Sequence, residues 1–467
     1  MTGGASATEQ PGARTYGEVA AEMVAGLPDV LFPAIERLSW SRDRLVEHQR
    51  RELHETLAFA VARSPWHATR LGGIDVAAIE PDNLAALPVM TKRDLMSSWD
   101  EIVTDDRLDL AAARAHLERV DAEGAAVLLE EYHVFATGGS TGEPAVFCLS
   151  RGEVQRWAAS VLRWMAVAGL GPPERTAWVG ARSLRHPSAA IGVLLSGGTS
   201  SELVVPVDQP VTAIVARLNE LAPDSLWVVS SMLPALVAAA EDGSLRLTVD
   251  RISVGGDALD PIAAERAEAA FGVRPIEGYP TTDVGHVAQQ TPGEPGLYVN
   301  EDLLLVEPVD ADDHPAGPGA LCHHLLVTSL HQRTLPLVRY RLDDRVRIDP
   351  APGRYPAFRR IAEIDGRCDD LFDYRSDDGP VTVHPHVFRT VLSRHAAVTD
   401  FLVEQTDDGA RVAVVAAPGF DEGALGADLV AALRRAGLRA PRVTVAACDA
   451  LPRTAVGKRR RFVPLRS

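Results

Sequence analysis

Basic charge is what this 467-residue chain is short of: 47 Lys and Arg residues face 64 Asp and Glu, for a formal net charge of −17. A surplus of that sign repels polyanions and excludes nucleic acid or an anionic membrane as the main partner. Long hydrophobic runs are missing too, so no segment reads as a bilayer span. Met1 to Ala13 is polar and Gly-rich and lacks the apolar centre of a secretory signal; the expectation is a cytoplasmic protein. Cysteine is scarce. Cys148, Cys322, Cys368 and Cys448 lie far apart, in no zinc-ribbon or disulfide-framework spacing, which leaves buried free thiols. The length is ample for a large core and two to four structural units, and no fixed-period repeat marks a solenoid.

Against that background one stretch stands out. Ala136-Thr137-Gly138-Gly139-Ser140-Thr141-Gly142-Glu143-Pro144 follows the strand-like run Tyr132–Phe135 and precedes the apolar run Ala145–Leu149. Glycines permit a sharp, close-approaching backbone. Its N–H groups, with Ser and Thr hydroxyls, form a concavity suited to phosphate oxygens; a plain Gly-rich hairpin loop is the bland alternative. A Walker loop is excluded, because no Lys is present. Gly138 to Gly142 does fit the G-x-S-x-G of a hydrolase nucleophile elbow with Ser140 as nucleophile, but that elbow runs into a helix, and Pro144 followed by β-favouring residues does not.

Residues 15–65 read as helical, with Ser41 as an N-cap and Ser64-Pro65-Trp66 closing the run. Thr91 caps a helix after Leu87-Pro88, and 106–130 reads as helix. Glu153 to Ala168 is amphipathic, and Trp157, Val161, Trp164 and Met165 read as a core-packing face. Strands at 176–180, 202–207, 225–229 and 251–256 alternate with helices at 210–221, 231–241 and 260–271, the pattern of an α/β fold with parallel sheet. Residues 296–348 form a β-rich subdomain, Gly366 to Asp370 a turn and candidate hinge, and the remainder a small α+β domain. The expected division is 1–366 and 367–467.

Five motifs then occur in one order. Thr137 to Ala145 resembles TSGTTGKPK, Tyr279-Pro280-Thr281-Thr282-Asp283 resembles YGxTE, and Arg339 to Asp344 resembles RYRTGD. Gly366 to Asp370 resembles GRxDD, and Pro452 to Lys458 resembles PRTxxGK. Together they resemble the adenylate-forming superfamily of acyl-CoA synthetases, adenylation domains and luciferases, and within it the phenylacetate–CoA ligase family. Ser64-Pro65-Trp66 and Leu87 to Asp94 add to that likeness, which covers about residues 40–465.

The resemblance implies ATP-dependent activation of a carboxylic acid with loss of pyrophosphate, then transfer to CoA, by alternation of the small domain. It gives Thr137, Gly138, Gly139, Ser140, Thr141 and Gly142 the phosphate-cradling role. Gly256, Tyr279, Asp344 and Arg367 join them around the nucleotide, Asp344 at the ribose hydroxyls. Thr282 meets the α-phosphate, Asp283 holds Mg²⁺, Lys458 bridges carboxylate and α-phosphate, and Asp369 is the hinge. Gly180, Arg182, Arg185, His186 and Gly255 border the acid pocket, and the expected acid is aryl or arylacrylic. A homodimer is left open. Glu143 and Ala145 replace loop lysines, Pro280 replaces a glycine, Leu342-Asp343 replace Thr-Gly, and Leu371 to His384 departs from the usual KxRG run. Those departures keep alternatives for the acceptor open, an amine or activated nitrite, alongside a serine hydrolase and a non-catalytic nucleotide-binding regulator.

Overall fold

The computed structural model describes residues 16–123, 127–137, 144–169, 175–181, 183–195, 204–207, 209–367, 371–375, 381–383, 385–392, 394–395, 397–451 and 461–465. The chain up to Glu123 is helical apart from its connecting loops. Helix Tyr16–Arg37 stops before Ser41, whose hydroxyl accepts from Arg44 N and caps helix Arg42–Arg63. The expected single run is therefore broken at 38–41. Ser64 ends the second helix and, through its hydroxyl and Pro65, starts a third, Pro65–Leu71. Thr91 caps Lys92–Ser97 in a reciprocal box with Asp94. The helix expected over 106–130 spans Leu110–Glu123.

Strands β1 (Tyr132–Ala136) and β2 (Val146–Ser150) pair antiparallel, Ala136 opposite Val146. The Gly-rich stretch thus joins two strands of a hairpin, which removes the strand-to-helix elbow of a serine hydrolase. Helix Arg151–Val167 follows, capped by Ser150 and Glu153.

The parallel half of the main sheet comes from β3 (Thr176–Gly180), β4 (Val204–Pro206), β5 (Ser225–Val229), β6 (Arg251–Gly255) and β7 (Ile276–Thr281). Then β8 (Gly285–Gln290) and β9 (Leu297–Val299) continue it antiparallel. The chain leaves to build a separate antiparallel sheet from β10 (Leu304–Val309), β11 (His324–Ser329) and β12 (Tyr340–Leu342). It returns one residue later as β13 (Asp344–Asp349), paired with β14 (Arg360–Arg367). Among the described residues the sheet order is β13-β14-β9-β8-β7-β6-β5-β3-β4.

Strand alternation divides the parallel half. Ala177, Val179, Leu226, Val228, Ile252 and Val254 pack on helices Val211–Leu221, Leu233–Glu241 and Pro261–Phe271. The intervening residues face the helix Arg151–Val167 and the helix Pro187–Leu195.

Gly366, with φ 138°, and Arg367 end β14, and the rest of the expected turn, Cys368 to Asp370, lies outside the described residues. Beyond them, β15 (Phe372–Tyr374) pairs with β16 (Val381–Val383). Strands β17 (Val398–Thr406), β18 (Gly409–Ala416), β19 (Arg442–Ala447) and β20 (Phe462–Val463) form a sheet ordered β19-β18-β17-β20. With helices Pro385–Leu392 and Glu422–Arg435 they enclose their own core around Phe372, Phe388, Val412, Leu429 and Phe462. Arg461 ties this part to the rest. Its backbone carbonyl accepts from Val403 N, its guanidinium lies over Phe401, and its Nη2 donates to the Ser231 carbonyl at 3.0 Å.

Candidate active site

Three of the five motifs meet where the sheets join. Tyr279, near the end of β7, donates its hydroxyl to Asp344 Oδ2 at 2.7 Å. Tyr340 of β12 donates to Asp283 Oδ1 at 2.8 Å. Asp344 and Arg367 are register partners across β13 and β14, and Arg367 also lies 3.8 Å from Asp343. The crossing from one sheet to the other at Asp343 brings Tyr340 of β12 and Asp344 of β13 close in the chain, each in a tyrosine–aspartate hydrogen bond.

The local backbone is held firmly. Met90 N donates to Arg339 O and Arg341 N to Met90 O, so the Leu87–Asp94 segment lies alongside the Arg339–Asp344 motif. Arg339 itself is structural: it is buried, donates to Leu87 O at 2.7 Å and pairs with Glu307. Its φ of 48° is a left-handed conformation that a non-Gly residue adopts under constraint.

Burial pushes the Asp283 carboxyl upward; the Tyr340 hydroxyl and the charges of Arg367 and Lys92 oppose that, while Asp344 adds to it. A divalent cation would offset both the desolvation and the carboxylate repulsion, so the donor chemistry fits a hard ion such as Mg²⁺ with Asp283 as a ligand. Tyr279 is pushed well up by burial and by Asp344, and remains a hydroxyl donor.

Beside these groups a cavity of about 160 Å³ runs over the free face of the parallel strands. Gly180, Gly256, Thr281 and Thr282 line it at the C-terminal strand ends, where ligands of open α/β sheets collect. Gly256 has φ 89°, a turn conformation open to glycine. Trp178 and Trp227, register partners on β3 and β5, stack at 4.8 Å along it. Trp157, Val161 and Met165 line it from the helix Arg151–Val167. The core-packing reading holds for both tryptophans: Trp157 is buried against Phe135 as well as bordering the cavity, and Trp164 stacks on Tyr298 at 5.2 Å.

Of the expected pocket residues, His186 lines the cavity, and Arg185 and Gly255 do not. Arg185 instead receives the Ala136 N–H on its carbonyl, and Gly255 is closed off because a Cβ there would meet the Gly278 carbonyl at 3.0 Å. Thr137 serves the base of the Gly-rich loop: its Oγ1 accepts from Ala145 N, and its N–H donates to Ala145 O, both at 2.9 Å. Gly138, Gly139, Ser140, Thr141, Gly142, Arg182, Asp369 and Lys458 lie outside the described residues. Sequence reasoning missed Trp178, Trp227, Arg251, His286 and Gln289, which reach the cavity through strand register. The one readable signal was period-two alternation of the tryptophans with small apolar residues.

The fold is that of the adenylate-forming enzymes. A crystal structure of 2-hydroxyisobutyryl-CoA ligase in the postadenylation state, in complex with R3-HIB-AMP, superposes with a TM-score of 0.72 at 16% identity, over 92% of both chains. The same enzyme in the thioesterification state, with 2-HIB-AMP and CoA, gives 0.56 over 92% of this chain and 91% of its own. The arrangement seen here thus follows the first state more closely. In sequence the chain is similar to phenylacetate-coenzyme A ligase of Escherichia coli (strain K12), 25% identical over 359 residues, 72% of this chain and 74% of that protein. No protein-family model matches the chain, and among the described residues no helix is long and apolar enough to cross a membrane.

Proposed function

We propose that the protein is an ATP-dependent, AMP-forming ligase that adenylates an aromatic carboxylic acid, releases pyrophosphate and passes the acyl group to CoA. The observation that carries this reading is the meeting of Tyr279, Asp283, Asp344 and Arg367 at the mouth of an apolar cavity bordered by Thr282. The stacked tryptophans supply flat apolar walls for a ring.

In this reading the acid's carboxylate sits at Thr282 and attacks the α-phosphate of ATP; the carboxylate oxygen–phosphorus bond forms as the bond to pyrophosphate breaks. Tyr279 orients Asp344 toward the ribose hydroxyls, which a carboxylate accepts. Tyr340 holds Asp283, which would carry Mg²⁺; the ion neutralises phosphate charge when bound. Thr137 and Gly138 to Gly142 enclose the leaving phosphates. The CoA sulfur then displaces AMP from the acyl carbon after the part beyond residue 366 rotates about Asp369. The division into 1–366 and 367–467 belongs to the same proposal.

Composition favours Lys458 as the bridging cation. Of the 47 basic residues only Lys92 and Lys458 are lysines, so an ordinary basic tail in this chain would be all arginine. Lys92 acts electrostatically on Asp283.

Incubation with ATP, Mg²⁺ and aromatic acids is expected to release pyrophosphate and AMP, and to give a CoA thioester by mass spectrometry when CoA is added. Release of ADP and phosphate would overturn adenylation. An adduct formed only with an amine or only with nitrite would overturn the acceptor. Lys458→Ala should lower the first half-reaction about 10²–10³-fold with substrate binding nearly unchanged, the scale of losing one electrostatic stabiliser of a transition state. Full activity in that variant would assign the lysine to the tail.

A further inference from the structure

The cavity does not stop near the strand ends where the motifs meet. It follows the free face of the parallel strands down to their beginnings. Gly180, Val229, Gly256 and Thr282 line it at the upper end, and Thr176, Ser225 and Arg251 line it at the lower. Those last three are register partners and the first residues of β3, β5 and β6. Thr176 lies four residues before Gly180, roughly 13 Å at strand rise. Midway stand Trp178, Trp227 and Ser253, register partners again, and all three line the cavity.

The space is thin as well as deep. The sheet forms one side. The helix Arg151–Val167 forms the other through Trp157, Val161 and Met165, together with Ile191 and Leu195 of the helix Pro187–Leu195. Gly192 lets that second helix close on the sheet, because a Cβ there would stand 2.7 Å from the Trp178 ring. Trp227 reaches toward the upper end, where a Cβ on Gly180 would meet its Cζ3 at 3.0 Å. On the β8 side His286 and Gln289 close the space and are committed to each other by a hydrogen bond. A volume of about 160 Å³ laid over such a depth is a flat slot rather than a chamber.

We infer that the site takes a flat, extended acid well beyond the length of phenylacetate, its ring carried on a conjugated linker or joined to a second ring. The inference rests on the adenylation reading, which puts the carboxyl at Thr282, and names the class of acid. With bonds of about 1.5 Å, phenylacetate spans only about 6 Å from carboxyl carbon to ring tip. It would reach no deeper than Ser253 and leave the space over Thr176 and Ser225 without contacts. Apolar wall left uncovered forfeits both burial and dispersion, and each further carbon buried there strengthens binding about fourfold. A planar linker holds the extended shape before binding, whereas a saturated chain loses rotamer freedom on entering a slot. Arg251 marks the floor, its Nη1 3.7 Å from the Met165 sulfur.

The test is calorimetric titration of the protein, in the presence of AMP, with benzoate, phenylacetate, cinnamate, phenylpentadienoate and its saturated counterpart phenylpentanoate. Pyrophosphate release from ATP is measured in parallel. Affinity is expected to rise along the first four, phenylpentadienoate binding tenfold or more tightly than phenylacetate and threefold or more tightly than phenylpentanoate. Ser253→Phe places a ring across the slot at mid-depth and should invert the order, so that phenylacetate outbinds phenylpentadienoate. Phenylacetate bound as tightly as the longer acids, phenylpentanoate bound as tightly as its planar counterpart, absence of any binding, or a folded Ser253→Phe that keeps the wild-type order would overturn the inference. The wild-type series decides by itself if the variant fails to fold. The expected order of binding without pyrophosphate release would overturn adenylation and leave the length preference intact.

Discussion

Asp344 shows how much one residue depends on its neighbours. Its Oδ2 holds the Tyr279 hydroxyl, so Asp344→Ala removes the proposed acceptor for ribose and leaves a buried phenol without its partner. The expected result is ATP affinity reduced about tenfold or more, the cost of one or two charge-assisted hydrogen bonds, measured by nucleotide titration; unchanged affinity would remove Asp344 from the site. Glu277 gives a pH-dependent prediction. Burial raises its carboxyl to about 7, against the Leu259 N–H bond that lowers it. Because the folded value lies above the unfolded one, the bound proton stabilises the fold below about pH 4.5, and that contribution is lost as pH rises through 7. Glu277→Gln keeps an acceptor for Leu259, so at pH 8 it should stabilise by about 1–2 kcal/mol, allowing for the residue's partial exposure. Near pH 5 it should do little, and equal gains at both pH values would contradict the shifted carboxyl. Tyr279, Asp283, Asp344 and Arg367 were legible in the sequence because their motifs are contiguous. His286 and Gln289 were not, since nothing in the sequence around Gly285–Gln290 shows that β8 will register against Gly278.

At the level of elements, helix starts were read correctly where the side-chain chemistry is local, as at Ser41 and Thr91. The break at 38–41 and the second role of Ser64 were missed because packing, not local preference, decides where a long helical pattern is cut. Glu153 is the clearest case of an element fixed from afar. It caps the helix Arg151–Val167 through Ser150 N, and it also accepts from Arg333 N, from Thr334 N at 2.9 Å and from Thr334 Oγ1 at 2.7 Å. That single buried carboxylate fastens the hairpin carrying the Gly-rich loop to the chain just before β12. Glu153→Gln turns an N–H₂ toward existing donors and should cost about 2–4 kcal/mol. The check is a lower urea midpoint with an unchanged slope; a variant within 0.5 kcal/mol, roughly the scatter of ordinary surface changes, would show that the contacts are dispensable.

Across the whole molecule, the order of strands and helices was legible from alternation and turns, whereas the return of β13 and β14 to the far edge of the main sheet is a non-local pairing no local pattern announces. One global property follows from histidine. His67, His286 and His331 are held down to about 4 and His133 to about 3, chiefly by burial. Depressed values mean that the unfolded chain binds more protons, so stability present above about pH 6.5 is lost as pH falls toward 4. Between pH 6.5 and 5 the loss is on the order of 6 kcal/mol, comparable with the entire stability of a typical protein. Cooperative acid unfolding is expected with a circular-dichroism midpoint between about pH 4 and 6; a fold intact at pH 4 would mean these imidazoles are solvated or paired. The alternation of β3, β5 and β6 has a different kind of consequence. Trp178, Trp227 and Ser253 look into the cavity, while Val179, Val228 and Ile252 belong to the opposite core. Under the proposed function, inherited changes at the former can retune which acid is accepted without disturbing the packing that keeps the sheet folded, and without touching the motifs proposed to hold the nucleotide. A lineage built on this sheet can therefore drift in substrate while its chemistry stays fixed, and a mutagenesis library confined to that face would explore the same route in the laboratory.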